Sequence, residues 1–234
     1  MRKIIVTDLT RFSTDEKVCI AAIDISTGEC FRPMPYIKSA KCKALKIHPG
    51  AIFVGVLDFK KPKEAPHVED ASYSKLGFSR ACSSEEFRMV LENSLTNSIS
   101  KGFGFTFEKG QKHIPSNQKV HCSIITIKIN PKQLSIFEDQ FKAGKIKATL
   151  IDNDGQVFSY LPITDRGFHD YAKKHQDNGK LNEITEFISN QEIIYLRIGL
   201  SRAYQSPNGK SGYWLQINGI YTYPNFHEEI RAYD

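Results

Sequence analysis

The residues best suited to ligand chemistry are aromatic and basic side chains concentrated between positions 194 and 224. This segment contains the only tryptophan, Trp214, together with Tyr213, Arg197 and Arg202. Aromatic rings stack on nucleic-acid bases, and guanidinium groups pair with phosphates. A sheet surface that carries both kinds of side chain therefore favours binding of a flat, negatively charged polymer.

The alternation of side chains in this segment predicts which of them face outward. Two apolar runs flank the turn-forming residues 206–209, which predicts a long β-hairpin. With a period of two, Leu196 and Ile198 point into a core while Arg197 points away from it. Trp214 falls on the outward face of the second strand, so we expect Arg197 and Trp214 to be neighbours on a ligand surface. The alternative is that Trp214 covers a barrel end or seals an interface between two barrels.

A second group of basic residues lies in the first third of the chain. Arg11 follows the first predicted strand and Arg32 ends a predicted hairpin, so both guanidinium groups are expected over one barrel face, in contact with phosphate. The alternative for Arg32 is an ion pair with Asp24 or Glu29 at the strand end. A lysine-rich run offers an electrostatic track for a phosphate backbone or, alternatively, a solvated surface. Its members are Lys38, Lys41, Lys43, Lys46, Lys60, Lys61 and Lys63.

Other chemically suggestive residues are interpreted as structural. His67, Glu69 and Asp70 carry donor atoms that metals accept, but no partner motif stands at ligand spacing, which favours a pinned loop. The three phenylalanines of 103–107 are expected to pack onto the first barrel rather than to stack on bases, because exposed rings promote aggregation. No known catalytic motif is present. The sequence therefore predicts no catalytic residue, no metal site and no cofactor.

Composition indicates an ordinary globular protein with a mild excess of positive charge. The chain has 234 residues, a formal net charge of +6 and 40% hydrophobic residues. This length suits two small domains or one larger β unit. The five cysteines form no C-x-x-C pair and are expected to be reduced thiols. No signal peptide and no long apolar run is present, so a cytoplasmic protein without a membrane partner is expected.

Short strands and a few helices position these residues. Ser83 and Glu86 form a capping box that predicts a helix over 84–96, with Phe87 and Leu91 at helical spacing. Two further short helices are predicted at 165–176 and 181–189. Residues 22–33 and 150–162 share a pattern of Ile-Asp, turn glycine, strand and proline. This weak repeat favours two related small β-barrels.

Segments along nearly the whole chain resemble one family. They are VTDLTRFS, VCIAAID and TGECFRP near the N-terminus, PHVED in the middle, and YLRIGLSRAY and GYWLQINGIYTYP near the C-terminus. This pattern resembles the dual OB-containing domain family of bacterial proteins. The resemblance implies a mainly β fold of two tandem OB-like barrels with interposed short helices. We expect the first barrel at 1–115 and the second at 116–234.

The functional hypothesis combines these features. We expect a non-enzymatic protein that binds single-stranded DNA or RNA through a basic and aromatic barrel surface, since OB barrels often bind oligonucleotides. The residues expected to bind are Arg11, Arg32, Lys38, Lys41, Lys43, Arg197, Arg202, Tyr213 and Trp214. One alternative is a protein-interaction module of a bacterial system, for example a defence system. Another is a small-ligand-binding or metal-dependent enzyme with a pocket near His67 or Asp8.

Overall fold

Two β assemblies follow one another along the chain in the computed structural model, which describes residues 1–12, 16–227 and 230. The first is a closed five-stranded barrel and the second is a curled half-barrel sheet. A few short helices lie between and within them. The prediction of a mainly β fold with two OB-like barrels is confirmed in this form.

The first barrel closes because its first strand pairs on both edges. Its elements are β1 (Arg2–Arg11), β2 (Lys17–Asp24), β3 (Cys30–Met34), β4 (Ile37–Lys38), α1 (Ser39–Ala44), β5 (Ala51–Phe59) and β6 (Asp70–Ala81). β1 pairs antiparallel with both β2 and β5, and β3 pairs parallel with β6. The register of β1 shifts between Val6 and Asp8, and such a bulge bends a strand so that it can serve two neighbours.

The second assembly contains a long hairpin and a three-stranded sheet. Its elements are β7 (His113–Pro115), β8 (Ile124–Ile129), a 3₁₀ turn (Pro131–Gln133), β9 (Leu134–Glu138), β10 (Ile146–Ile151), β11 (Val157–Pro162), β12 (Ile193–Gln205) and β13 (Ser211–Tyr223). The strand orders are β7-β13-β12-β8 and β11-β10-β9. A parallel bridge between Ile163 and Ile217 joins the two sheets, which produces the curled half-barrel.

The internal repeat seen in the sequence corresponds to equivalent hairpins in the two assemblies. Asp24 accepts hydrogen bonds from the backbone N–H groups of Ser26 and Thr27 in the β2–β3 turn. Asp152 accepts them from Asp154 and Gln156 in the β10–β11 turn. In each case an aspartate at the end of the first strand satisfies the turn backbone. The shared pattern therefore reflects the same local structure.

Besides α1, four helices lie in the described part of the chain, two between β6 and β7 and two between β11 and β12. They are α2 (Ser84–Asn93), α3 (Ile99–Phe103), α4 (Arg166–Asp177) and α5 (Leu181–Ser189). The predicted capping box is present, because Ser83 accepts from the Glu86 N–H while the Glu86 carboxylate accepts from the Ser83 N–H. All three predicted helices are confirmed. Phe103 and Phe107 are buried as expected, but they pack in the core of the second assembly rather than on the first barrel.

The boundary between the two assemblies lies in the segment that contains α2 and α3. β7 pairs with β13, so residues 113–115 belong to the second sheet although they precede the expected division after residue 115. The cysteines are free thiols. Within the described ranges, no helix combines the length and apolar character needed to cross a membrane.

Candidate functional site

A buried ion pair joins the two assemblies and corrects the predicted position of Arg197. On β12, Arg197 lies opposite Gly219 and Thr126, and it is only 1% exposed. Its Nε donates to the Asp8 carboxylate at 2.9 Å, and its Nη1 donates to the Thr126 hydroxyl at 2.7 Å. Burial opposes the guanidinium charge, but the Asp8 carboxylate prevails and raises the pKa of Arg197. The prediction that Arg197 faces outward beside Trp214 is therefore wrong.

Further contacts fix the two assemblies against each other. The Glu69 carboxylate accepts from the backbone N–H of Ser123 at 2.6 Å and from its hydroxyl at 2.7 Å. Burial raises the pKa of Glu69, and the Ser123 hydrogen bonds oppose that rise. The Tyr221 hydroxyl donates to the carbonyl of Thr7. These bonds surround a mixed apolar cluster formed by Ile5, Ile23, Ile52, Phe87, Val90, Leu91, Tyr195, Tyr221 and Tyr223.

A cleft of about 910 Å³ lies between the two assemblies. We refer to it as the inter-barrel cleft. Its basic lining residues are Arg11, Arg32, Lys112, Lys142, Lys147 and Arg202. Its aromatic lining residues are Phe12, Tyr36, Tyr160, Tyr204 and Trp214. In the part of the chain that the structure describes, no carboxylate lines this cleft, so the charged side chains of its lining are all positive.

One wall of the cleft is a pair of arginines that share a tyrosine hydroxyl. Arg32 Nη2 donates to the Tyr36 oxygen at 3.1 Å, and Arg202 Nη2 donates to the same oxygen at 2.9 Å. Arg32 also pairs with Asp70 at 3.0 Å, rather than with Asp24 or Glu29 as the alternative proposed. The hydroxyl therefore links an arginine of each assembly at the cleft.

His67 lies behind this wall as a buried, neutral side chain. Burial lowers its pKa, and the charges of Arg32 and Arg202 lower it further, to about 2. Its Nδ1 has no hydrogen-bond partner among the described residues. Glu69 is hydrogen-bonded to Ser123 and Asp70 is ion-paired with Arg32, and the described residues contain no group of three or more potential metal ligands.

The opposite wall is formed by half-buried lysines around Tyr160. Lys112 Nζ donates to the carbonyl of Ser159 at 3.1 Å and lies 5.8 Å from the centre of the Tyr160 ring. Phe137 and Phe141 pack against the same ring at 5.3 and 5.6 Å. Tyr160 has a φ of 58°, a left-handed conformation that a bulky residue seldom adopts. The backbone here is held in a costly conformation that places the ring in the cleft lining.

Trp214 also lines the cleft, whereas Tyr213 does not. The indole ring of Trp214 stacks on His113 with the ring centres 4.7 Å apart, and its N–H donates to the carbonyl of Tyr204 at 3.1 Å. Trp214 is half-buried, which leaves part of the ring accessible from the cleft. Tyr213 is buried in the second core with its hydroxyl on Ser116, so the expectation that bases stack on Tyr213 is wrong.

The predicted lysine track lies outside the cleft. Lys38, Lys41 and Lys43 are exposed on β4 and α1. The loop lysines 60, 61 and 63 instead line a smaller depression of about 310 Å³ that shares His67 and Arg202 with the inter-barrel cleft. Arg11, Arg32, Arg202 and Trp214 are thus the predicted binding residues that the fold brings together.

Sequence reasoning missed most of the second wall. Lys142 and Lys147 belong to the run FKAGKIK, which joins an exposed phenylalanine to three lysines in one turn. That combination of aromatic and basic residues is a usable signal for a nucleic-acid contact. Lys112 and Tyr160 carry no comparable local pattern, since only tertiary structure brings them beside this turn.

Comparison of the chain with protein-family models, with curated proteins and with solved structures finds no match. The geometry of the inter-barrel cleft is therefore the basis on which a function can be proposed.

Proposed function

We propose that the protein binds single-stranded nucleic acid in the inter-barrel cleft and catalyses no reaction there. The observation that carries the proposal is the lining itself, which combines six basic side chains with five aromatic ones and, within the described residues, no carboxylate. Basic groups attract the phosphate backbone, and aromatic rings stack on bases of any sequence.

Unpaired bases suit this cleft better than a duplex does. The bases of a duplex hide their faces in the stack, so rings such as Trp214 and Tyr160 have access to them only in a single strand. The resemblance to the bacterial dual OB-containing domain family supports the same proposal, because OB-like barrels often bind oligonucleotides.

The first experiment measures fluorescence anisotropy of labelled single-stranded DNA, single-stranded RNA and a duplex at low and high salt. If about four phosphates are contacted, the affinity for a single strand falls roughly a thousandfold for a tenfold rise in salt. Arg202→Gln removes an exposed guanidinium of the cleft and should weaken binding. Lys132→Gln removes a charge from the 3₁₀ turn, outside the cleft lining, and should leave binding near that of the unmodified protein.

Two results contradict the proposal. Failure of every oligonucleotide to bind at low salt removes it and favours the alternative of a protein-interaction module. Equal losses for Arg202→Gln and Lys132→Gln would place the nucleic acid on the general positive surface rather than in the cleft.

A further inference from the structure

We infer that Lys112 and Lys147 form a subsite for a phosphomonoester, the terminal phosphate of a bound strand, with Tyr160 beside it as the stacking platform for the terminal base. This inference rests on the proposed function, because it names which part of the single strand the second wall of the cleft receives.

The first observation is that both ammonium groups lack a carboxylate partner. Lys112 and Lys147 are half-buried in the cleft lining. Lys112 Nζ donates to the carbonyl of Ser159, which fixes its position without neutralising its charge. Among the described residues, no carboxylate oxygen lies within 4.0 Å of either Nζ. A half-buried cation with no carboxylate in contact is incompletely compensated, so this wall can accept a negative group supplied from outside.

The second observation is the local balance of charge. Among the described residues, the charges that act on Lys112 are those of Lys147 and Asp139. Those that act on Lys147 are Asp139, Lys142 and Lys145. Burial lowers the pKa of both Lys112 and Lys147, and neighbouring lysines lower it further while Asp139 opposes the change. The Asp139 carboxylate is itself held by the backbone N–H of Phe141 at 2.9 Å. Positive charge therefore exceeds negative charge on this wall of the cleft.

The charge of the ligand distinguishes a strand end from a strand interior. A phosphomonoester carries a charge of about −1.5 to −2 at neutral pH. A phosphodiester within a strand carries a single negative charge. Two unpartnered ammonium groups match the terminal group. The Arg32 and Arg202 wall differs, because Asp70 already neutralises Arg32. That wall suits an internal phosphodiester.

The third observation is Tyr160 itself. Its ring is braced by Phe137 and Phe141 and flanked by Lys112. Its left-handed backbone conformation is unfavourable for a tyrosine, and such conformations cluster at ligand-binding positions. A ring held in this way beside two ammonium groups provides a base platform next to a phosphate site.

The test compares strands of one sequence that carry a 5′-phosphate, a 3′-phosphate or no terminal phosphate, each labelled at the opposite end. We expect one phosphorylated form to bind about tenfold or more tightly than the unphosphorylated strand, as for hydrogen bonds to charged groups. Inorganic phosphate and a nucleoside monophosphate serve as competitors, and both should compete only weakly. If a nucleoside monophosphate binds as tightly as the strand, the ligand of this subsite is a free nucleotide rather than a strand end, and the inference is overturned.

Variants separate this subsite from the rest of the cleft. Lys112→Gln and Lys147→Gln should abolish the preference for the phosphorylated end while binding of the unphosphorylated strand persists. Lys147→Arg keeps the charge and should keep the preference. Arg202→Gln should weaken both strands by the same factor. A thermal melt of each variant confirms that it is folded.

The outcomes distinguish this inference from the proposed function. Equal affinity for phosphorylated and unphosphorylated strands, or a preference that survives in both glutamine variants, overturns the phosphomonoester subsite but leaves binding in the cleft intact. Absence of binding by any strand overturns both.

Discussion

Replacing Arg197 by methionine should destabilise the protein strongly, because the change leaves a buried carboxylate without its positively charged partner. Arg197 and Asp8 are each 1% exposed, and their Nε–Oδ2 distance is 2.9 Å. Methionine fills much of the same volume but carries no charge, so the buried Asp8 carboxylate would keep the Thr7 hydroxyl but lose its charged partner. Removing one member of a buried ion pair costs about 3–5 kcal/mol. Because the pair lies between the two assemblies, their packing against each other should be weakened as well.

The expected cost is large enough to measure by thermal unfolding. For a chain of this length, each kcal/mol lowers the Tm by about 2–4 °C, so the variant should melt roughly 6–20 °C below the unmodified protein. The double variant Asp8→Asn with Arg197→Met also removes the unpaired carboxylate charge and should recover a good part of the lost stability. Lys101→Met breaks an exposed pair with Asp154 and serves as the control, with a much smaller effect.

A change of less than about 1 kcal/mol in the free energy of unfolding of Arg197→Met would refute this reasoning, since surface pairs contribute that little. A double variant no more stable than the single one would show that the unpaired Asp8 carboxylate is not the source of the lost stability.

Three further predictions concern single positions. The pKa of folded His67 is about 2 and that of the unfolded residue is 6.5, so the unfolded state binds the extra proton as the pH falls. About 1.6 kcal/mol of stability should therefore be lost between pH 6.5 and 5. Urea unfolding across that range should show that the stability of His67→Gln depends less steeply on pH than that of the unmodified protein. An unchanged pH dependence would contradict the burial of a neutral His67. Gly212→Ala places a Cβ 2.3 Å from the carbonyl of Ile114 and should cost about 1–3 kcal/mol, whereas Gly77→Ala meets no atom within 4 Å and should be tolerated; equal melting temperatures would count against the close approach. Trp214→Ala should weaken single-strand binding by about tenfold or more while costing less stability than the 3–5 kcal/mol typical of a fully buried tryptophan; a full core penalty would show that the ring is structural.

Local sequence patterns were sufficient for most of the secondary structure. The capping box at Ser83 placed the start of α2, and the turn at residues 206–209 placed the β12–β13 hairpin. The repeated aspartate turns at Asp24 and Asp152 indicated two related hairpins. These features were predictable because capping and turn formation depend on hydrogen bonds between residues only a few positions apart.

The orientation of side chains relative to a second assembly was not predictable in this way. A period of two shows that Arg197 and Leu196 lie on opposite faces of a strand, but not that the first barrel covers the polar face. The error arose because the first barrel covers the polar face of β12, which makes that face an interface.

The sequence by itself therefore determined the strands, the helices and the mainly β character of the protein, while the tertiary structure decided which basic residues share a site. Arg32 and Arg202 meet at Tyr36 although they are 170 positions apart. Lys112 lies beside the Tyr160 ring although these two residues are also far apart in the sequence. The physical reason is that hydrogen bonding and hydrophobic periodicity act over short stretches of chain, whereas the charge and the ring surface of the inter-barrel cleft depend on how two separately formed sheets pack together.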